Sequence, residues 1–249
     1  MRVVIIGGSG LIGSAVAELL SEAGHEIVVA SRRKGIDAVT GEGLAEAMTG
    51  ADVVVDVSNS PSFEEEAVLN FFTRSSSNAT RSAKDAGVKL YVALSIVGID
   101  RLPQNAYFRA KLAQEEIIQN SGLPYTIVRA TQFHEFVDAI VYTSTIGNVV
   151  RVSTAYIQPI ASEDVARFVA AASTEEPANG IVEVAGPERF RTDELVESYL
   201  SSKADSSTVV GDPEAEYFGA RLQPTSLVPL DDYKPGLVTF ETWAKKSAA

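Results

Sequence analysis

The chain has 249 residues, 45% of them hydrophobic, and sets 21 Lys and Arg against 33 Asp and Glu for a net charge of −12. That balance argues against nucleic acid or a membrane surface as the main partner, since both are anionic, but leaves room for a local basic pocket that holds one phosphate. No cysteine is present, which excludes disulfides, thiolate nucleophiles and zinc–sulfur sites. The apolar start is too short and too glycine-interrupted for a signal peptide, and no apolar run approaches a membrane span, so the expected location is the cytoplasm.

The first predicted element is a strand over residues 2–6, running straight into Gly7-Gly8-Ser9-Gly10-Leu11-Ile12-Gly13 and an amphipathic helix over 11–23. A strand, a glycine turn and a helix N-terminus make up the layout that a dinucleotide pyrophosphate needs. Gly7 suits the tight turn, Gly10 lets the backbone approach the phosphates, and Gly13 lets the helix lie close to the strand. The spacing is G-x-x-G-x-x-G.

The second strand, 26–30, ends at Ser31-Arg32-Arg33. An NAD site usually places an acid at this point to bond the ribose 2′-hydroxyl. A carboxylate would repel a 2′-phosphate, whereas a guanidinium grips it bidentately. Ser31, Arg32 and Arg33 therefore point to NADP(H) as the cofactor.

Further strands are predicted at 52–57, 89–95 and 125–129, alternating with helices at 42–48, 64–86 and 104–120. The strands are near-continuous apolar runs, as in strands buried on both faces. Gly24, Gly50, Gly87 and Gly122 each stand just past a helical run and before a strand, where a left-handed residue stops a helix. The alternation predicts an α/β, Rossmann-type, doubly wound parallel sheet with right-handed crossovers.

The strand 89–95 ends in Ser95, and Tyr107-Phe108-Arg109-Ala110-Lys111 follows at the start of the next helix. Residues i and i+4 share a helix face, so Tyr107 and Lys111 can serve one site. An ammonium beside a phenol favours the phenolate, and a serine hydroxyl can donate to a substrate oxygen. Ser95, Tyr107 and Lys111 thus read as an oxygen anchor with an acid–base pair, suited to moving a proton as a hydride moves. A second Y-x-x-x-K match, Tyr199 with Lys203, follows no serine-ended strand and lies far down the chain, so it carries no catalytic assignment.

The second half is more mixed. Strands are predicted at 149–152, 156–160 and 180–185, and helices at 162–172, 192–202 and 240–246. The chain reads as one domain, with a nucleotide-binding core over 1–148 and a small C-terminal substrate-covering lobe, 149–249, integrated with it. His134, beside Phe133 and Phe136 after the last core strand, is a candidate for the substrate pocket with Phe133. With only two histidines and no ligand spacing among the acids, no metal site is expected. There is no G-x-S-x-G elbow to support hydrolase chemistry.

The glycine turn, Arg32, Ser95, Tyr107 and Lys111 occur in the order seen in short-chain dehydrogenases/reductases. The stretch from Tyr107 to Glu115, then Gly122-Leu123-Pro124-Tyr125-Thr126-Ile127-Val128-Arg129 and Thr131-Gln132-Phe133, resembles the atypical, NmrA-like branch over roughly residues 1 to 200. The resemblance implies that Gly8 to Ile12 line the pyrophosphate, Arg32 meets the 2′-phosphate and Ser58 and Asn59 lie near the adenosine. It further implies that Lys111 holds the nicotinamide ribose and that Ala130 and Thr131 flank the nicotinamide. The implied activity is an NADP(H)-dependent oxidoreductase acting on a small molecule, working as a monomer or homodimer. A nucleotide-sensing regulator, or an isomerase or epimerase with retained cofactor, stays open as an alternative. The branch includes regulators, many of which lack the tyrosine kept here, which favours an enzyme.

Overall fold

The computed structural model of the chain describes residues 1–247. The first half alternates as the pattern predicts: β1 (Arg2–Ile6), α1 (Leu11–Glu22), β2 (Glu26–Ala30), α2 (Leu44–Ala47), β3 (Val53–Asp56), α3 (Glu65–Asp85), β4 (Leu90–Ile96), α4 (Ala106–Gln119) and β5 (Tyr125–Ala130). There follow α5 (Val137–Ser144), β6 (Thr145–Ile146), β7 (Val149–Val152), β8 (Tyr156–Ile157), α6 (Ser162–Ala172), β9 (Gly180–Ala185), β10 (Phe190–Arg191) and α7 (Thr192–Ser202). The last elements are β11 (Thr208–Gly211), β12 (Glu216–Tyr217), β13 (Ala220–Arg221), β14 (Lys234–Pro235) and α8 (Phe240–Ser247).

A seven-stranded sheet has the order β2-β1-β3-β4-β5-β9-β14. The pairings of β1 with β2, β1 with β3, β3 with β4 and β9 with β14 are parallel. This is a Rossmann-type, doubly wound α/β fold. Strand order reverses at β1, which has β2 on one side and β3 on the other, and ligands of open α/β sheets bind beyond the strand ends at such a reversal. The strands are apolar on both faces because helices cover both: Val3, Val4, Ile5, Val54, Val55 and Val92 are fully buried. Gly24, Gly50, Gly87 and Gly122 all have positive φ, between 70° and 83°.

Two compact units divide the chain. One comprises Met1–Ser95, Ala106–Arg129 and Val165–Val182, and the other Ile96–Asn105, Ala130–Asp164 and the chain from Glu183 onward. The first contains β1 to β3, α1 to α4 and most of β4 and β5. In the second, β7 is not part of the large sheet but pairs with β6 and β11 in a three-stranded sheet.

Some elements differ from the sequence pattern for identifiable reasons. The helix predicted over 42–48 is the single turn α2, because Gly43 before it takes φ 71° and the preceding segment is held in an Asx turn, with Val39 N–H donating to Asp37 Oδ1. The strand predicted over 156–160 stops at Ile157; Pro159 has no N–H to give a ladder, and Ile160 instead bridges Phe133 in parallel. The stretch 134–144, to which the pattern assigns no element, forms a 3-10 turn (His134–Phe136) and α5. Val137 and Ile140, three apart, are the buried face of that helix.

Candidate active site

At the C-terminal end of β1 the glycine turn is built from backbone alone. Gly7 has φ 80°, and a side chain there would put its Cβ 2.8 Å from the Ser58 nitrogen and Cα, so the turn lies directly against the chain leaving β3. At Gly13 a Cβ would stand 2.2 Å from the Gly7 carbonyl oxygen and 2.6 Å from the Gly8 Cα, which is why α1 can begin so close to the strand it follows. Gly8 is buried, with Ile5 O 2.9 Å from where its Cβ would be. Gly10 is different: a Cβ there would meet one protein atom, Gly7 O, at 3.3 Å, and the rest of its surroundings is open. Ser9, Gly10 and Leu11 are exposed, whereas the Ile12 side chain is in the core. α1 has no side-chain cap and no acid in its first turn. The first N–H groups of a helix have no intrahelical acceptor, so the turn presents bare backbone donors and the positive dipole end to an anion. This donor set fits a dinucleotide pyrophosphate.

β2 ends at Ala30, one strand away. Ser31 is extended, and Arg32–Lys34 form a 3-10 turn closed by Gly35 at φ 74°. Arg32, Arg33 and Lys34 are exposed and have no ion-pair partner among the described residues. No acid stands at the strand end, and three free cations fit a phosphate.

Between β3, β4 and α4 lies a connected set of buried polar groups. Asp56, the last residue of β3, is 1% exposed. Its Oδ1 accepts from the Ser58 N–H at 3.1 Å and the Ser58 hydroxyl at 2.6 Å; its Oδ2 accepts from the Tyr91 hydroxyl and the Gln114 amide, each at 3.0 Å. Lys111, 4% exposed, donates from Nζ to Leu94 O at 2.7 Å and to Gln114 Oε1. It stands 4.7 Å from the centroid of the Phe72 ring. Burial pushes its pKa down to about 8, and the negative charges of Asp56 and Glu115 work against that fall. Ser95, next to Leu94, is 3% exposed, and its Oγ has no hydrogen-bond partner among the described residues. A buried hydroxyl left unpaired is costly, so a group brought to this strand end would satisfy it.

Tyr107 and Lys111 share a face of α4, but they are not engaged with each other in the way the sequence suggests. The Tyr107 hydroxyl donates to Asn59 Oδ1 at 2.9 Å, in the loop after β3, and its ring lies among Phe63 and Phe72. Burial raises the phenol's pKa rather than a neighbouring ammonium lowering it, so Tyr107 is a protonated donor at neutral pH. Behind them Glu115 takes a bidentate pair from Arg129, Nε at 2.9 Å and Nη2 at 2.7 Å, with both side chains buried.

The remaining candidates lie in the second unit. Ala130 is buried, and the Thr131 hydroxyl donates to Gln158 O at 2.6 Å. Gln132 is buried with neither amide atom partnered. Phe133 is half-buried. The His134 ring stacks on Trp243 at 5.5 Å and packs against Phe240 at 5.4 Å. Its Nε2 is 3.4 Å from Val238 O, a group that can only accept, so the proton sits on Nε2 and the unpartnered Nδ1 is bare. Burial lowers its pKa and keeps the ring neutral. Tyr199 and Lys203 are used locally: the phenol donates to Asp138 Oδ1 at 2.5 Å, and the ammonium lies over the Tyr199 ring and 3.4 Å from Asp138.

Asp56, Gln114 and Tyr91, which no motif marks, belong to the same hydrogen-bonded set as the candidate residue Lys111. For Gln114 a signal was present: on α4, Tyr107, Lys111, Gln114, Glu115 and Ile118 fall at i, i+4, i+7, i+8 and i+11, a stripe on one helix face that is largely polar.

Residues 7–176 match the NAD(P)H-binding family. The chain is 26% identical over 215 residues to the photosystem II assembly factor Ycf39 of Synechocystis sp., covering 79% of this chain and 66% of that relative's own length. It superposes on a dTDP-4-dehydrorhamnose reductase from Clostridium acetobutylicum with a TM-score of 0.77, at 16% identity and over 100% and 99% of the two chains. It also superposes on MoeE5 in complex with UDP-glucose and NAD, with a TM-score of 0.76, at 16% identity and over 100% of each chain. At such identities the structural likeness is one of fold. No helix among the described residues is long and apolar enough to cross a membrane. The matched span, which covers more than half of the chain and begins at the glycine turn, places the chain in the NAD(P)H-binding family.

Proposed function

We propose that this chain is an NADP(H)-dependent reductase of a carbonyl, quinone or similar conjugated group on a small, largely apolar molecule. The observation that carries the reading is the buried, unpartnered Ser95 hydroxyl, one residue from the carbonyl that holds the Lys111 ammonium. The bound nicotinamide would supply the hydride. The backbone of Gly7, Gly8, Ser9, Gly10, Leu11, Ile12 and Gly13 binds the pyrophosphate, and Ser31, Arg32 and Arg33 bind the 2′-phosphate. Ser58 and Asn59 flank the adenosine, Lys111 holds the nicotinamide ribose, and Ala130 and Thr131 flank the nicotinamide. Ser95 donates to the substrate oxygen, and Tyr107, kept protonated by burial, gives that oxygen its proton. Phe133 and His134 contact the substrate.

One observation favours the regulator reading instead: the Tyr107 hydroxyl is bonded to Asn59, so nucleotide binding near Asn59 and the state of Tyr107 are linked without any chemistry. NADPH consumption measured against a panel of carbonyls and quinones separates the two. Turnover that disappears in Tyr107→Phe supports the reductase, and tight NADPH binding with no turnover across the panel supports the regulator.

A further inference from the structure

Lys111 reaches the sheet edge through a partner that is itself fixed at both ends. An ammonium can only donate, so the Gln114 atom it meets is Oε1. A carboxylate can only accept, so the Gln114 atom facing Asp56 is Nε2. The amide therefore has one orientation, and it links a buried carboxylate on β3 to a buried ammonium on α4. Asp56 is held in turn by Ser58 and Tyr91. Two of the three N–H groups of Lys111 are committed, to Leu94 O and Gln114 Oε1, and one is left to donate elsewhere.

We infer that Asp56, acting through Gln114, is the positioning residue that keeps the Lys111 ammonium charged and aimed at the nucleotide. The inference rests on the nucleotide reading above and assigns to that site two residues which no motif marks. An ammonium among apolar side chains loses its hydration and tends to shed its proton. Phe72 covers it from α3. The charged and titratable groups around it are Asp56 from β3, Tyr91 from β4, and Tyr107 and Glu115 from its own helix, with Glu115 already paired to Arg129 of β5. Glu115 is thus largely neutralised, which leaves Asp56 as the carboxylate that sustains the charge. Tyr107 and Tyr91 are both raised by burial and stay neutral over the pH range in which Lys111 titrates.

The test is NADPH affinity by calorimetry between pH 7 and 9.5. In the wild type, binding weakens as pH rises through about 8 and the ammonium is lost. Asp56→Asn keeps an acceptor in place and removes the charge, so the midpoint of that loss moves down by about one pH unit. Gln114→Met breaks the link while Asp56 keeps its other donors, and moves the midpoint the same way. Lys111→Met abolishes the pH dependence. A purely structural network would lower the unfolding temperature of these variants and leave the midpoint where it is. No NADPH binding by the wild type overturns the nucleotide reading and this inference together. Binding whose midpoint is unmoved in both Asp56→Asn and Gln114→Met, or that shows no pH dependence in the wild type, overturns the positioning role alone.

Discussion

Arg32→Ala tests the nucleotide preference most directly. Arg32 is exposed on the 3-10 turn after β2 and has no ion pair among the described residues, so it can meet a 2′-phosphate without first breaking such a pair. A charge-assisted hydrogen bond of this kind contributes about 1.5–3 kcal/mol. At about 1.4 kcal/mol per tenfold, removing it should weaken NADPH binding by about 10- to 150-fold. Arg33 and Lys34 adjoin it and retain part of the field, which puts the single variant near the lower end of that range. NADH has no 2′-phosphate and should bind the variant and the wild type alike. Because the side chain is exposed, the unfolding free energy should change by no more than about 0.5 kcal/mol. Calorimetry with both nucleotides, and thermal unfolding of the nucleotide-free protein, measure all three quantities. Equal affinities of the wild type for NADPH and NADH would refute the reasoning, as would a variant in which both weaken together.

Gly10→Val should abolish nucleotide binding while the nucleotide-free protein still unfolds cooperatively, because a Cβ there meets only Gly7 O, at 3.3 Å; normal binding by this variant would mean that the open face of the turn receives no phosphate. Tyr107→Phe keeps the ring against Phe63 and Phe72 and should cut turnover by about 10²- to 10⁴-fold with NADPH affinity unchanged. Tyr199→Phe, whose hydroxyl serves Asp138, is the control and should leave turnover intact in steady-state kinetics. Glu115→Gln removes the charge of a buried carboxylate that takes a bidentate pair from Arg129 and should lower the unfolding free energy measured in urea, by up to about 3 kcal/mol; an unchanged unfolding free energy would show that the pair does not stabilise the fold.

Local physics made much of the backbone around the candidate site legible along the chain. The glycine turn, the helix stops with positive φ and the apolar strands all act over a few residues, so their spacing already states their geometry. The position of Arg32 and Arg33 just past β2 was legible as well, because the end of a strand is a local fact. The short elements were not. α2 shrinks to one turn at Gly43, and β6, β10 and β14 each have two residues, too few for any periodicity to show. Each exists only because a partner strand offers it a ladder.

The chemistry at Lys111 divides in the same way. The i, i+4 spacing by itself determined that Tyr107 and Lys111 share a helix face, and the strand before them brought Ser95 to the sheet edge. The tertiary structure alone decided which groups each would meet. It set Tyr107 on Asn59, 48 residues away, and tied Lys111 through Gln114 to Asp56, 58 residues from that glutamine. The sign of the tyrosine's shift follows from this: the ring packs against the apolar cluster of Val68, Phe72 and Ala110 from α3 and α4, and desolvation raises the phenol's pKa. Sequence spacing reports which residues are neighbours on one element, but the pKa of a buried group depends on how much water the other elements exclude, and that is settled only when they pack.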